Sequence, residues 1–151
     1  IFGIGVRRLA KQASITEKQA RQYLTRYWSR YPTMKKYFDS TIRLAENTGQ
    51  VETLFGRKLK IDKERPYTAV NYIVQGTAGD IIKISLVKTA QYVKSIGGCI
   101  RNTVHDQILF DEIDESSVPI IKEIMEDFSF SMPVTVEMKR SKESWGDLIH
   151  E

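Results

Sequence analysis

The sequence has little of what marks disulfide-bonded, zinc-binding or membrane-spanning proteins. A single cysteine, Cys99, excludes an internal disulfide and cannot by itself form a zinc site. No apolar run approaches the roughly 18 residues that a membrane-spanning helix needs. The opening residues, IFGIGVRRLAKQ, turn basic at once, unlike a secretion signal. We therefore expect a cytoplasmic protein with no membrane partner.

What the sequence does contain is an ordinary globular composition with unevenly spread charge. Of its 151 residues, 28% are charged and 41% hydrophobic, which suits one domain with a real core. Residues 1–75 carry 15 Lys/Arg and 6 Asp/Glu, a net +9, whereas residues 76–151 carry 8 and 13, a net −5. A basic half suggests a polyanionic partner, and two solvated faces explain the charge equally well.

Helical patterns dominate the first fifty residues. Thr16 and Gln19 form a capping-box pattern before apolar residues that recur at helical spacing as far as Tyr31. Pro32 suits the first turn of a second helix, which should stop near Gly49. The aromatic residues of this pair suit a core better than base stacking. Basic residues line its polar side: Arg21, Arg26, Arg30, Lys35 and Lys36.

The next segment predicts a hairpin followed by a long helix. QVETLFGRKLKI alternates around a turn at Phe55-Gly56. The helix should run from just after Pro66 to Gly97-Gly98. Inside it, Gly76 and Gly79 lie three residues apart on one face, where we expect a neighbouring backbone to approach closely.

The last third predicts strands around a tight turn. Strands are expected at 99–104 and 107–113, joined by His105-Asp106. Ser116 or Ser117 should cap a helix that continues to about Met132. A final strand is expected at 134–138. The whole is α+β, with antiparallel strands and helices packed on one side.

Asp106 raises a chemical question because it lies within a run of alternating apolar residues, NTVHDQILFDE. An ionised carboxylate in a strand core is costly unless it is paired. At a hairpin tip, however, it is held rigidly and faces solvent, as a Mg²⁺ ligand must. Asp also commonly stabilises turns without any further role, and the local residues alone favour that simpler interpretation.

The wider pattern resembles one family. TVHDQILFDE is similar to the Val-His-Asp-Glu hairpin of family A DNA polymerases, the DNA polymerase I type. VETLFGRK resembles that family's VETLFGRR, and AVNYIVQGTAGDIIK resembles its AxNxxxQGTAADxxK helix. IFGIGVRRLA is similar to the end of the fingers-helix motif, and ESW to the terminal ENW or EDW. The five segments follow the family's order and span essentially the whole chain.

The resemblance implies a fold and a reaction. The fold would be α+β, with an antiparallel palm sheet whose motif-bearing hairpin packs against long helices, plus a helical part of the fingers. Residues 1–49 would end the fingers-helix motif and continue the helical fingers, and residues 50–151 would form the palm. The reaction would be template-directed addition of deoxynucleotides from their triphosphates to a primer 3′-hydroxyl, in DNA replication or repair. Because the chain opens on Ile1 without a methionine, we expect a C-terminal fragment of a larger polymerase.

The resemblance also implies a cofactor. In the family, two Mg²⁺ ions bridge two palm aspartates during phosphoryl transfer. Asp106 matches the second of these, as catalytic residue and metal ligand. The first belongs to an upstream strand, and the Lys and Arg that hold the triphosphate would also precede Ile1. We therefore expect the isolated fragment to be inactive.

Contacts to primer–template DNA carry over residue by residue. Asn71 and Gln75 match helix residues that touch the duplex near its growing end, and being four apart they share a helix face. His105 matches a histidine at the primer terminus. Phe2 and Gly3 match the Tyr-Gly of the fingers-helix motif, where the aromatic ring stacks near the templating base.

The basic hairpin adds a further expectation, and other positions depart from the family. Arg57 and Lys58 are expected to contact DNA phosphates, which position a duplex without specifying sequence.

Gln107 replaces the usual glutamate beside the aspartate, where it offers no negative charge and is expected to tune rather than abolish catalysis. Tyr67 replaces an arginine, Thr103 replaces a glutamine, and the segment 57–71 looks shorter than usual. These departures suggest a divergent branch from a virus or plasmid.

Two other classes of function remain open on the residues alone. One is a non-catalytic, basic nucleic-acid-binding module whose binding would weaken steeply with salt. The other is a structural or interaction domain with two solvated charge patches.

Overall fold

A computed structural model describes residues 4–142, 144–147 and 149–150. The chain is α+β, with α-helices and small antiparallel sheets, as the sequence predicts. It divides into two compact units, the first ending at Thr77 and the second beginning at Ala78. This division does not coincide with the expected boundary between residues 49 and 50, and the assignment of fingers and palm stays a prediction.

Three helices open the first unit: α1 (Val6–Ala13), α2 (Glu17–Arg30) and α3 (Pro32–Thr48). The capping box is confirmed at α2, where the Gln19 amide donates to the Thr16 hydroxyl and the Thr16 amide donates to the Gln19 side chain. Pro32 begins α3, and Gly49 ends it at φ +69°, a conformation that glycine adopts without strain. Local chemistry therefore sets these boundaries.

The aromatic residues of α2 and α3 divide between core and surface. Trp28 packs its ring 5.3 Å from that of Phe38, which is buried. Tyr23, Tyr31 and Tyr37 are about half exposed, with 55%, 50% and 46% of their surface accessible. The expectation of a core role holds for the first pair and is wrong for these three tyrosines.

The predicted hairpin follows α3. Strands β1 (Gln50–Glu52) and β2 (Lys58–Lys60) pair antiparallel, with Val51 opposite Leu59. Gly56 turns the tip at φ +77°. Val51 joins a core cluster of this unit, whose buried members are Ala45, Val51, Ile61 and Ala69.

The long helix α4 (Ala69–Ser95) is confirmed, preceded by a 3₁₀ turn at Pro66–Thr68. It ends where predicted, because Gly97 adopts φ +79° and the Gly98 amide donates to the Val93 carbonyl at 3.0 Å. The division between the two units falls within α4. Among the described residues, no helix is long and apolar enough to cross a membrane.

The second unit contains the predicted central hairpin, β3 (Cys99–Val104) and β4 (Gln107–Asp111), followed by α5 (Val118–Glu126). Its buried core residues are Val93, Ile121 and Met125. Partly buried residues of the hairpin and of the segment after it pack against them: Ile100, Ile108, Phe110 and Ile113. The hairpin therefore rests its apolar face on the helices and leaves its turn at the surface.

Two boundaries in this unit differ from expectation. Strand β4 stops at Asp111, since Glu112 adopts φ +57°. Helix α5 stops at Glu126, six residues before Met132, because Asp127 leaves the helical region at ψ 77°. Ser117 occupies the N-cap of α5, as expected, but its side chain makes no capping hydrogen bond.

The strand expected at 134–138 is also wrong. Its apolar alternation has another cause, since Val136 and Met138 pack against the second core. The Val136 amide donates to Oε1 of Glu126 at 2.6 Å instead of to a neighbouring strand. Strand pairing begins only at β5 (Lys139–Arg140), which pairs antiparallel with β6 (Ile149–His150).

Candidate active site

The turn between β3 and β4 presents the candidate catalytic residues. Val104 and Gln107 are paired at the end of the ladder, so His105 and Asp106 form a two-residue connection. His105 adopts φ +54°, a left-handed conformation that tight hairpins require and that a non-glycine side chain resists. His105, Asp106 and Gln107 are all exposed.

The position of Asp106 answers the question that its apolar neighbours raise. The neighbouring apolar side chains point to the core, while the carboxylate lies at the exposed tip and keeps its hydration. A carboxylate oxygen held there can reach a hard cation, which binds oxygen ligands. Among the described residues, no group of three or more His, Cys, Asp or Glu side chains is arranged to hold a metal. Asp106 therefore fits one ligand of a magnesium site, and the described residues do not complete it.

An exposed ion pair links the two strands of the hairpin that carries this turn. The register of β3 shifts between Ile100 and Asn102, which makes Arg101 the extra residue of a β-bulge. Nε of Arg101 donates to Oδ2 of Asp111 at 2.9 Å. That hydrogen bond lowers the pKa of Asp111, with a smaller contribution from the Glu112 amide, and it raises the pKa of Arg101.

The predicted duplex-contacting residues of α4 lie on its N-terminal half. Asn71 is half-buried and Gln75 is exposed, one helical turn apart. Directly after Gln75, Gly76 is in contact with the hairpin, since a Cβ atom there would lie 2.8 Å from Cδ1 of Leu59 and 2.9 Å from Cγ2 of Thr53. The neighbours that approach Gly76 are side chains, whereas a backbone was expected there. At Gly79 the expectation is wrong, because nothing lies within 4 Å.

The two basic hairpin residues differ in their surroundings. Arg57 is exposed, and its Nη2 donates to the carbonyl of Gly76 at 3.1 Å, which places the guanidinium beside the residue that follows Gln75. Lys58 is exposed on β2, opposite Glu52 in the register. Arg57 and Gln75 thus belong to one continuous surface of the first unit.

Two threonines that the sequence reasoning missed hold this surface together. The Thr77 hydroxyl accepts a hydrogen bond from the Leu54 amide at 3.1 Å. The Thr53 hydroxyl accepts from the amides of Phe55 and Arg57 at 3.3 and 3.2 Å. Both threonines are buried. Both lie in segments that resemble the family, VETLFGRK and QGTAGD, but nothing in the sequence marks the contact between Thr77 and Leu54, because the two residues are 23 positions apart.

The predicted site residues fall into two groups. Asn71, Gln75, Arg57 and Lys58 lie in the first unit, and His105, Asp106 and Gln107 lie in the second. Phe2 and Gly3 lie outside the described residues.

Comparison with solved structures identifies the fold. The chain resembles the polymerase domain of Pol1 from M. smegmatis, solved in complex with DNA primer-template and dNTP. The TM-score is 0.77 with 24% sequence identity, and the match covers 87% of this chain and 26% of that one. The fold is therefore that of about a quarter of that solved domain.

The sequence comparisons then give the family. The family model of DNA polymerase family A matches residues 1–147. DNA polymerase I of Caldicellulosiruptor bescii is 34% identical over 156 residues, covering 92% of this chain and 18% of the relative. DNA polymerase I of Lactococcus lactis subsp. lactis is 32% identical over 161 residues, covering 94% of this chain and 18% of the relative. This chain belongs to DNA polymerase family A, and it spans about a fifth of the length of these curated relatives.

Proposed function

We propose that this chain is the C-terminal part of a template-directed DNA polymerase, called the parent polymerase below. The parent polymerase would add deoxynucleotides from their triphosphates to a primer 3′-hydroxyl. The observation that carries the proposal is the exposed carboxylate of Asp106 at the tip of the β3–β4 hairpin, in a chain of DNA polymerase family A.

Asp106 would supply one carboxylate to a pair of Mg²⁺ ions, with the other aspartate contributed by a segment outside this chain. Bound metal ions in such a site activate the hydroxyl nucleophile and neutralise charge on the leaving group. The hairpin's part is to hold the carboxylate at a fixed position in solvent. Because this chain offers only one such carboxylate at the turn, residues 1–151 alone should not polymerise at any Mg²⁺ concentration.

The remaining residues would bind the primer–template. Gln75 and Asn71 carry amide donors suited to minor-groove acceptors that all base pairs share, which would check duplex shape without reading sequence. His105 would contact the primer end beside Asp106. Arg57 and Lys58 would contact phosphates, and the net charge of +9 over residues 1–75 favours that partner.

The test replaces the carboxylate in the parent polymerase. Asp106→Ala should lower the rate of single-nucleotide incorporation by orders of magnitude and leave primer–template affinity nearly unchanged. Asp114→Asn is the matched control, because Asp114 is an exposed acid of the same region, at the N-cap of a 3₁₀ turn, and should retain the wild-type rate. Incorporation by Asp106→Ala near the wild-type rate would overturn the proposal.

The same experiment separates the second candidate, a non-catalytic nucleic-acid-binding module, which the basic charge of residues 1–75 favours. Such a module would bind DNA with a steep salt dependence and would be indifferent to Mg²⁺ and to Asp106. Magnesium-dependent incorporation that disappears with Asp106 excludes it.

A further inference from the structure

A long-range hydrogen bond from the backbone attaches the tip of the β1–β2 hairpin to α4. The Leu54 amide donates to Oγ1 of Thr77 at 3.1 Å, across 23 residues of sequence. Thr77 is only 8% exposed, so little water is present to replace its hydroxyl as an acceptor.

The rest of the tip is organised from within. Thr53, 5% exposed, accepts from the Phe55 and Arg57 amides, and its own amide donates to the Arg57 carbonyl at 3.0 Å. These bonds fix the turn's shape but not its position on the helix. The Leu54 amide is a backbone donor of the tip that reaches α4.

Two further contacts occur at the same place on α4. Nη2 of Arg57 donates to the Gly76 carbonyl at 3.1 Å, and the absence of a side chain at Gly76 lets Leu59 and Thr53 approach the helix. The hairpin therefore docks on Gly76 and Thr77, directly after Gln75. A shift of the tip changes the spacing between the Arg57 guanidinium and the Gln75 amide.

We propose that Thr77 is a positioning residue for primer–template binding, which fixes the Arg57 guanidinium relative to Gln75 by holding the Leu54 amide. This inference rests on the proposed function and adds a residue that does not itself touch DNA. Without the hydroxyl, the Leu54 amide loses its acceptor and the tip is held on α4 less firmly, by the contacts at Gly76, so the spacing between the Arg57 guanidinium and the Gln75 amide varies more. Asp106, in the other unit, keeps its turn.

The first test compares Thr77→Val, which keeps the shape but lacks the hydroxyl, with Thr77→Ser, which keeps the hydroxyl. In the parent polymerase, Thr77→Val should raise the Kd and KM for primer–template about tenfold, the equivalent of one hydrogen bond, with kcat unchanged. Thr77→Ser should restore wild-type affinity. Thr77→Cys, whose thiol is a weaker acceptor, should give an intermediate Kd for primer–template. If Thr77→Val does not fold, the Kd of Thr77→Cys tests the inference in its place.

The control is Thr89→Val, the same substitution at a fully buried threonine of the same helix. The Thr89 hydroxyl donates to the Ser85 carbonyl at 2.7 Å, within α4 itself, and ties nothing to the hairpin. Thr89→Val should leave the Kd for primer–template unchanged, which separates positioning from a general loss of stability.

The second test is a double-mutant cycle with Arg57→Ala. If Thr77 acts through Arg57, Thr77→Val should add little further loss of duplex affinity once Arg57 is absent. Full additivity, a wild-type Kd for Thr77→Val, or a fall in kcat matching the rise in KM would each overturn the inference. Failure of the proposed function looks different, because the unmodified parent polymerase would then not bind or extend a primer–template.

Discussion

Arg101 and Asp111 form an ion pair across the β3–β4 hairpin, with Nε and Oδ2 2.9 Å apart. Arg101 reaches its partner because it is the extra residue of the bulge in β3, and a bulge re-aims the side chain that it carries. The pair thus links the two strands that support the turn at His105 and Asp106.

This pair predicts how the hairpin responds to acid. The hydrogen bond from Arg101 lowers the pKa of Asp111 below its ordinary value, so the stabilisation is present at neutral pH and is lost as the pH falls through that lowered pKa. Arg101→Gln should raise the pKa of Asp111 toward the ordinary aspartate value. Carboxyl-carbon NMR titration of Asp111 in both proteins measures the change. An unchanged Asp111 titration in Arg101→Gln would show that the pair does not form in solution.

Replacement by alanine should have opposite effects on stability at two glycines of α4. Gly76→Ala should destabilise the fold by about 1–3 kcal/mol, because its Cβ would lie 2.8 Å from Cδ1 of Leu59 and 2.9 Å from Cγ2 of Thr53. Gly79→Ala should stabilise it by up to about 1 kcal/mol, since nothing lies within 4 Å and alanine favours a helix. Thermal unfolding of both variants is the measurement. Equal shifts in Tm would contradict the docking of the hairpin at Gly76.

Replacing His105 should lower the free energy of unfolding by an amount that depends on the shape of the new side chain. Its φ of +54° is tolerated by asparagine and resisted by β-branched residues. His105→Val should lower the free energy of unfolding by about 1–2 kcal/mol, whereas His105→Asn should remain close to wild type. Denaturant unfolding measures both.

Thr103→Val is the control for this series, because it places the same side chain on β3, where valine is favoured. It should not lower stability. If His105→Val were as stable as His105→Asn, the left-handed turn would not be the conformation in solution.

The helical half of the fold was predictable because its signals are local. The Thr16 capping box, Pro32 at a first turn and glycines at 49 and 97 each act within a few residues of themselves. The turn at Asp106 was predictable for a related reason, since side-chain alternation on both sides of it places the strands. In these cases the sequence neighbour is also the physical partner.

The features that were missed depend on distant partners. Thr77 acquires its role from an amide 23 residues away, and the bulge at Arg101 depends on the register of β4. The apolar alternation at 134–138 suggested a strand, yet the Val136 amide bonds to a helix side chain. Alternation reports which side chains are buried, not what the backbone pairs with.

That last contact predicts how the chain after α5 is held. The Val136 amide donates to Oε1 of Glu126 at 2.6 Å, in a half-buried position where water is a poor substitute. Glu126→Ala should lower the free energy of unfolding by about 1–3 kcal/mol, because it removes the acceptor of a partly buried donor.

Glu126→Gln keeps a carbonyl oxygen at that position and should recover most of the loss. Glu123→Ala, at an exposed position of the same helix, should change stability by less than about 0.5 kcal/mol. Unfolding by denaturant, together with hydrogen exchange at the Val136 amide, checks the assignment, and slow exchange of that amide in Glu126→Ala would mean that another group accepts its hydrogen bond.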